Sequence, residues 1–154
     1  MAKECLACKH LENPRFEILR TTNWNVVLDT NQAYFGRAYV TLLTHKARLS
    51  DLTDEEWQEY AEIVRRLERA YKDLYGADPL NWGCYMNNAF REMPFNPHVS
   101  WHVYPRYEKA PEMDGIIFDD PLFGEFYDEH AKRVVSDSTV GHIAAQLIDY
   151  LSIH

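Results

Sequence analysis

The sequence predicts an α+β domain in which strands come first, one long helix follows, and further strands return to the sheet. Residues 24–29 and 37–43 are rich in β-branched and aromatic side chains and are separated by a polar turn region with Gly36, which is the pattern of a hairpin. After a long amphipathic segment, residues 80–86 and 99–104 are again strand-like. A helix that covers such a sheet gives an α+β layer arrangement.

The long helix has clear start and stop signals. Thr53 and Glu56 have the spacing of a capping box, and Gly76 supplies a stop. Apolar residues recur between these positions at the helical period, namely Trp57, Tyr60, Ile63, Val64, Leu67, Ala70, Tyr71 and Leu74. We expect this stripe to pack on the sheet. A C-terminal helix is expected over residues 138–150. Apolar side chains recur there at the helical period, namely Val140, Ile143, Ala144, Leu147 and Leu151.

Length, composition and charge narrow the functional classes. A chain of 154 residues with 46% hydrophobic residues is expected to form a single domain, residues 1–154, with a real core. The formal net charge of −8 argues against sequence-independent binding to nucleic acid, which depends on many Lys and Arg contacts to phosphate. No apolar run approaches the roughly 20 residues that a membrane span needs, and the N-terminus lacks the apolar stretch of a secretion signal. We therefore expect a cytoplasmic protein with neither a membrane nor a nucleic acid as partner.

Residues 96–107 carry the most informative pattern, Asn-Pro-His-Val-Ser-Trp-His-Val-Tyr-Pro-Arg-Tyr. His98, Ser100 and His102 occupy alternate positions, so a strand would turn all three toward one face. Trp101 is then expected on the opposite face, beneath the long helix. The run resembles the signature of the histidine triad family, which is three histidines separated by single apolar residues, here followed by Pro-Arg. It departs from that signature at one position, because Ser100 stands where the family has its nucleophilic histidine.

The resemblance carries expectations for fold, assembly and activity. It covers about residues 5–107, leaving residues 108–154 as a C-terminal extension, and it is nearest to the branch that resembles diadenosine polyphosphate hydrolases. It implies an antiparallel sheet with one long helix, and a homodimer formed through that helix and an adjoining strand. It also implies a hydrolase or nucleotidyltransferase scaffold whose ligand is a nucleotide, a dinucleoside polyphosphate or a nucleotide phosphoramidate.

The serine bears directly on that chemistry. In the family a neutral imidazole attacks the α-phosphate, displaces the leaving group and holds the nucleotidyl group until an acceptor removes it. A serine hydroxyl needs a base, and His102 is the remaining close candidate if His98 binds a metal. We therefore expect the covalent step to be absent, either because the nucleophile was deliberately replaced or because this is a natural relative that binds or senses nucleotides without turnover. A third hypothesis is a zinc-stabilised interaction module in which the triad-like strand is incidental.

The resemblance also implies nucleotide-binding residues. Asp29 stands where the family places an acceptor for the ribose hydroxyls, although it also fits a turn-starting aspartate. Asn87 and Asn88 stand where the family uses an asparagine near the α-phosphate. Arg106 could face the outer phosphates of a longer polyphosphate, or it could be a solvated surface charge. Arg37, after Gly36, stands where the family usually has histidine.

A structural zinc site is expected at the N-terminus. Cys5 and Cys8 have the spacing of two thiolate ligands, and the resemblance supplies His45 and His98 as the other two. A closed Cys₂His₂ set would fix the N-terminal arm to the strand that carries the triad. His10 is the alternative histidine ligand, and the remaining alternative is that both cysteines are free thiols.

Overall fold

The computed structural model describes residues 4–154 and contains a five-stranded antiparallel sheet packed against helices, as predicted. The strand order is β1-β2-β3-β5-β4. The strands are β1 (Glu17–Arg20), β2 (Trp24–Leu28), β3 (Ala38–Leu42), β4 (Leu80–Gly83) and β5 (Ser100–Pro105). This order places the triad strand β5 between β3 and β4, inside the sheet.

The predicted hairpin is formed by β2 and β3, with Leu28 opposite Ala38. Two elements before it were not predicted. The short helix α1 (Leu6–Glu12) begins at the Cys5 cap, and β1 adds a strand to the outer edge of the hairpin. Both are too short to produce a periodic pattern, so their stability depends on tertiary contacts rather than on propensity.

Helix α2 (Asp54–Tyr75) has the predicted ends. The Thr53 hydroxyl accepts a hydrogen bond from the Glu56 backbone N–H, and the Glu56 carboxylate accepts one from the Thr53 N–H at 2.7 Å. Gly76 ends the helix in the left-handed region, with φ of 73°. The middle of the predicted stripe is buried against the sheet, namely Tyr60, Ile63, Leu67, Ala70 and Tyr71. Its two ends, Trp57 and Leu74, lie at the margin and are each 37% exposed.

Strand β4 is shorter than predicted, because it ends at Gly83 instead of residue 86. Beyond it the ring of Tyr85 folds back over Gly83, in the space that a Cβ would otherwise fill. Met86 then adopts a left-handed conformation and leads into the 3₁₀ turn Asn87–Phe90. The chain therefore leaves the sheet after Gly83 and turns at Met86.

The C-terminal part begins with the small hairpin β6 (Glu112–Met113) and β7 (Ile116–Ile117), which was not predicted, and ends with α3 (Asp137–Ile153). Ser136 caps α3, which packs against β1 and α2 and confirms the predicted closing helix. Residues 119–134 lie between these elements, and Asn31 at the end of the β2 region forms a bridge with Val134. Within residues 4–154, none of the helices has the length and apolar character required to cross a membrane.

Candidate functional site

Strand β5 separates the core from the polar face that carries the triad positions. Trp101 stacks on Tyr60 of α2, with ring centroids 4.7 Å apart, and Val103 is fully buried. The predicted direction of Trp101 is thus confirmed. Ser100 and His102 lie opposite Thr41 and Tyr39 of β3 and share the face away from α2.

The structure brings the four predicted metal ligands together at the head of this strand. Their ligand atoms all lie within 4.8 Å of one another, and the residues are Cys5, Cys8, His45 and His98. Nδ1 of His98 lies 3.4 Å from Sγ of Cys5 and 3.5 Å from Sγ of Cys8. A tetrahedral zinc with ordinary bond lengths separates a sulfur from a nitrogen ligand by about 3.6 Å. The donor set and its spacing therefore fit a closed zinc site, and His10 is not part of the cluster.

Local structure explains how these four residues meet. Sγ of Cys5 caps α1 by accepting from the Cys8 backbone N–H, so the first helical turn presents both sulfurs together. His45 follows β3 and His98 precedes β5, and these strands are adjacent. Nε2 of His98 donates to the Leu42 carbonyl at 2.6 Å, which leaves Nδ1 free to act as a ligand.

Burial favours the uncharged forms of Cys8 and His98 when no cation is bound. Burial raises the pKa of the Cys8 thiol to about 11, and the neighbouring Cys5 adds to this shift. Burial also lowers the pKa of His98. A metal would therefore displace thiol protons on binding, while the histidine is already in the form that can coordinate.

Ser100 lies beside another hydroxyl. Its Oγ is 2.9 Å from Oγ1 of Thr41 on the adjacent strand. Within the described residues no imidazole is hydrogen bonded to the Ser100 hydroxyl, so the geometry provides no base to activate it.

His102 is held by aromatic rings. Its ring lies 4.9 Å from that of Tyr39, 5.7 Å from that of Tyr85 and 6.1 Å from that of Tyr104, measured between centroids. Its Nδ1 is buried and has no hydrogen-bond partner among residues 4–154. Burial, and then the charge of Arg37, lower the pKa of His102. The site thus contains a neutral imidazole with a polar atom still to be satisfied.

Asp29 and Arg37 form an ion pair next to this histidine. Nε of Arg37 lies 3.1 Å from Oδ2 of Asp29, and the Tyr39 hydroxyl donates to the same oxygen at 2.8 Å. The guanidinium also lies over the Tyr104 ring at 4.8 Å. Sequence reasoning missed Tyr39 and Tyr104 as site residues. Side chains alternate between the two faces of a strand, and this alternation along β3 and β5 could have predicted that both tyrosines lie beside His102.

Arg106 lies apart from this cluster. It is buried and forms two hydrogen bonds with the Asp120 carboxylate, at 2.7 and 3.0 Å. It also donates to the carbonyls of Leu122 and Glu125 and to the side chain of Asn81. The structure therefore places Arg106 as the anchor of the following segment rather than at a solvent-facing phosphate position.

The two predicted asparagines lie on the turn that follows β4. Asn87 and Asn88 are exposed on the 3₁₀ turn after β4. No hydrogen bond joins their side chains to the cluster in the described structure.

Comparison with known proteins supplies relatives over most of the chain. No family model matches it. The adenosine 5'-monophosphoramidase HNT1 of Saccharomyces cerevisiae is 28% identical over 131 residues, which cover 83% of this chain and 77% of that protein. Protein hit of Bacillus subtilis is 26% identical over 132 residues, or 84% of this chain and 83% of that protein.

Solved structures match the fold. A zinc-bound histidine triad protein from Mycobacterium smegmatis has a TM-score of 0.67 and 21% identity, covering 98% of both chains. A hypothetical histidine triad nucleotide-binding protein from Sulfolobus tokodaii has a TM-score of 0.70 and 15% identity, covering 97% of this chain and 93% of that one. The diadenosine triphosphate hydrolase of Plasmodium falciparum has a TM-score of 0.63 and 13% identity, covering 92% and 79%. This chain thus resembles the histidine triad family in sequence and has the fold of that family's proteins.

Proposed function

We propose that this protein binds a nucleotide or dinucleoside polyphosphate on the Ser100 and His102 face of the sheet. The scaffold is that of a histidine triad hydrolase or nucleotidyltransferase, with serine at the nucleophile position. The observation that carries the proposal is the joint placement of Ser100, His102 and Asp29 on one polar face. The relatives add support, since one is an adenosine monophosphoramidase and one matching structure is a diadenosine triphosphate hydrolase.

Covalent turnover through Ser100 is not part of the proposal. Its hydroxyl is hydrogen bonded to Thr41, and deprotonating it would require a base that the surrounding contacts do not provide. The alternative function is a protein that senses or sequesters nucleotides without chemistry. The same Ser100 contact favours it, and the two functions differ in whether a histidine at position 100 restores turnover.

Two residues would make the principal ligand contacts. The neutral His102 ring carries one N–H, which can donate to a phosphate oxygen, and its buried unpaired Nδ1 shows that its hydrogen bonding is incomplete. Asp29 would accept from the ribose hydroxyls, because each carboxylate oxygen has two acceptor positions and Asp29 uses only part of this capacity. Arg37 holds that carboxylate in place. Asn87 and Asn88 remain proposed donors near phosphate, while Arg106 would act indirectly by holding residues 120–125.

We propose that the Cys5, Cys8, His45 and His98 cluster binds one structural zinc ion. Four protein ligands would complete a tetrahedron, leaving no open position for a reactive water. The metal would contribute a crosslink between α1 and the head of β5, not a chemical step.

We also propose a two-fold homodimer formed through α2 and β4. β4 has one strand neighbour in the sheet of the described chain, so its outer edge is available for pairing. A cytoplasmic location stays a prediction.

The test measures binding and turnover together. Wild type, Ser100→His and Ser100→Ala are compared in calorimetric binding of AMP and in hydrolysis of adenosine 5'-phosphoramidate and diadenosine tetraphosphate. We expect all three to bind AMP and only Ser100→His to release product, with a nucleotidyl-histidine trapped in an acid quench. Ser100→Ala is the matched control for changing the side chain without adding a nucleophile.

Three outcomes separate the hypotheses. Absence of AMP binding at millimolar concentration would overturn the proposed site. Binding without any turnover by Ser100→His would favour the non-catalytic alternative. Hydrolysis by wild type that Ser100→Ala abolishes would show that the serine is itself a working nucleophile, contrary to this proposal.

A further inference from the structure

Cys5 and Cys8 bring two sulfur atoms together at the start of α1. The Cys8 backbone N–H donates to Sγ of Cys5 at 3.5 Å. Both sulfurs belong to the set of ligand atoms that all lie within 4.8 Å of one another. Two cysteines with this spacing on one helical turn are typical of dithiols that close to a disulfide. The pair that would hold the metal can therefore also bond to itself once no cation lies between the sulfurs.

Small oxidants can reach these sulfurs from solvent. Both cysteines are half-buried, and His45, whose Nδ1 lies 3.5 Å from Sγ of Cys8, is exposed. A hydroperoxide can therefore approach the cluster on the His45 side. A cysteine that binds zinc does so as a thiolate, which is the form that such oxidants attack.

Helix α1 depends on the cluster for its place on the sheet. None of its residues is buried, and the side chain of Lys9 in its middle is 59% exposed. Sγ of Cys5 lies 3.4 Å from Nδ1 of His98, and Sγ of Cys8 lies against His45, so the sulfurs contact the ends of two strands. A short helix without a buried face has little stability of its own. Loss of the metal should therefore free this arm.

The head of β5 is held by contacts of its own. The Val99 N–H donates to the Lys46 carbonyl at 2.9 Å, and the Val99 carbonyl accepts from the Leu42 N–H at 3.1 Å. Val99 is fully buried, and Nε2 of His98 donates to the Leu42 carbonyl. These contacts involve neither sulfur, so they can persist when the cluster opens. The expected change is confined to the N-terminal arm.

We propose that Cys5 and Cys8 form a redox site in which a hydroperoxide converts the pair to a disulfide, so that zinc leaves and α1 detaches from the sheet. The inference rests on the zinc site proposed above and adds a modification of its two sulfur ligands. After oxidation only His45 and His98 remain as ligands, and the site has no thiolate to hold a cation.

The reaction balances with the hydroperoxide as oxidant. One thiolate attacks a peroxide oxygen and the O–O bond breaks. The sulfur becomes a sulfenic acid, while the leaving oxygen takes a proton and departs as water or an alcohol. The second thiolate attacks the sulfenic sulfur, the S–S bond forms, and the hydroxide that leaves takes a proton to give water. The sulfur pair thus loses the two electrons that the peroxide gains.

Cys84 supplies an internal control. It lies outside the cluster of metal ligands and packs against the hydrophobic core. Burial raises the pKa of its thiol, which lowers its reactivity toward peroxide. Cys84 should therefore stay reduced under conditions that oxidise the pair, and Cys84→Ser should behave like wild type.

The experiment treats zinc-loaded wild type, Cys84→Ser and Cys8→His with hydrogen peroxide. Released zinc is followed with a colorimetric chelator, disulfides are located by peptide mapping, and cleavage after Lys9 is followed with a lysine-specific protease. In wild type and Cys84→Ser we expect about one zinc released for each disulfide between Cys5 and Cys8, together with faster cleavage after Lys9. A dithiol reductant with added zinc should reverse both changes.

Cys8→His tests the need for the second sulfur. It keeps four metal donors but has one thiol in the cluster. Without a partner, the Cys5 sulfur should be carried past the sulfenic acid to the irreversible sulfinic acid. Reductant and zinc should then restore metal binding at least about tenfold less completely than in wild type.

Each contrary result has a distinct meaning. If the protein binds no zinc, the proposed zinc site fails and this inference fails with it. If zinc is bound but peroxide leaves it in place, the redox proposal is refuted while the zinc site stands. Oxidation of Cys5 and Cys8 without a disulfide, or a disulfide that includes Cys84, would also refute it. If zinc leaves and cleavage after Lys9 is unchanged, other contacts hold α1 and the proposed detachment is wrong.

Discussion

Oγ of Ser100 and Oγ1 of Thr41 lie 2.9 Å apart across the β3 and β5 pairing, directly opposite one another in register. One hydroxyl donates to the other, so the serine is held by a neighbour that cannot act as a base. The Ser100 side chain is thus part of the internal hydrogen bonding of the sheet.

The Ser100 and Thr41 pair should show the energetics of a partly buried hydrogen bond. Ser100→Ala removes one partner and leaves the Thr41 hydroxyl unsatisfied, so we expect a loss of about 1 kcal/mol in the free energy of unfolding. Thr41→Val combined with Ser100→Ala should lose less than the sum of the two single changes, since both partners are then absent. Urea denaturation of the four proteins measures this coupling. Strict additivity would contradict the contact.

Zinc should be bound stoichiometrically and should stabilise the fold. We expect about one zinc per chain by elemental analysis and a lower melting temperature after chelation, because a ligand that binds only the folded state stabilises it. Cys8→Ser should lose zinc and should no longer respond to chelator. His10→Ala is the matched control and should keep the metal. Loss of zinc in His10→Ala with retention in a His45→Ala variant would reverse the ligand assignment.

Stability should fall as the pH drops below the ordinary pKa of histidine, about 6.5. Burial lowers the folded-state pKa of His102. Between the lowered value and the unfolded value, the unfolded state binds more protons, so stability rises with pH across that window. Zinc-loaded wild type should therefore lose stability from pH 7.5 to 5.5, and His102→Asn should lose less. Denaturation midpoints across this range provide the measurement, with exposed His10→Gln as control. Equal slopes in wild type and His102→Asn would contradict the predicted contribution.

The Arg106 and Asp120 pair should be far more important for stability than a surface pair. Both side chains are 3% exposed, so Arg106→Met leaves a buried carboxylate without its counter-ion, and we expect a loss of about 3–5 kcal/mol. Lys72→Met breaks an ion pair whose side chains are 66% and 67% exposed and should cost at most about 1 kcal/mol. Chemical denaturation compares the two variants. Because Arg106 also holds Leu122 and Glu125, limited proteolysis should cut residues 119–134 faster in Arg106→Met.

A result in which the two substitutions cost the same would remove Arg106 from its anchoring role. Arg106→Met combined with Asp120→Leu separates charge from packing. If the buried carboxylate is the main penalty, the double variant should recover part of the lost stability.

Local signals were sufficient for much of the fold. The α2 capping box, its apolar period and Gly76 all act within a few residues, and the structure has each of them as predicted. Alternation along β5 likewise predicted the direction of Trp101. The apolar period in α3 was sufficient to predict a helix, but it did not predict which elements the helix packs against.

Long-range contacts account for what was missed. The role of Arg106 depends on Asp120, fourteen positions later, across a stretch without regular periodicity. Tyr127 reaches Tyr104 only because the segment between them returns across the sheet. No local pattern encodes these contacts, because each depends on where distant parts of the chain meet.

The alternation of β5 has a consequence for how this protein can change over evolutionary time. Trp101 and Val103 face the core, whereas position 100 faces outward and contacts Thr41. A substitution at position 100 replaces no side chain that packs on α2, so the chemistry of the polar face can change there at small cost to foldability. In this architecture the polar face can vary at position 100 while the core that folds the chain stays the same.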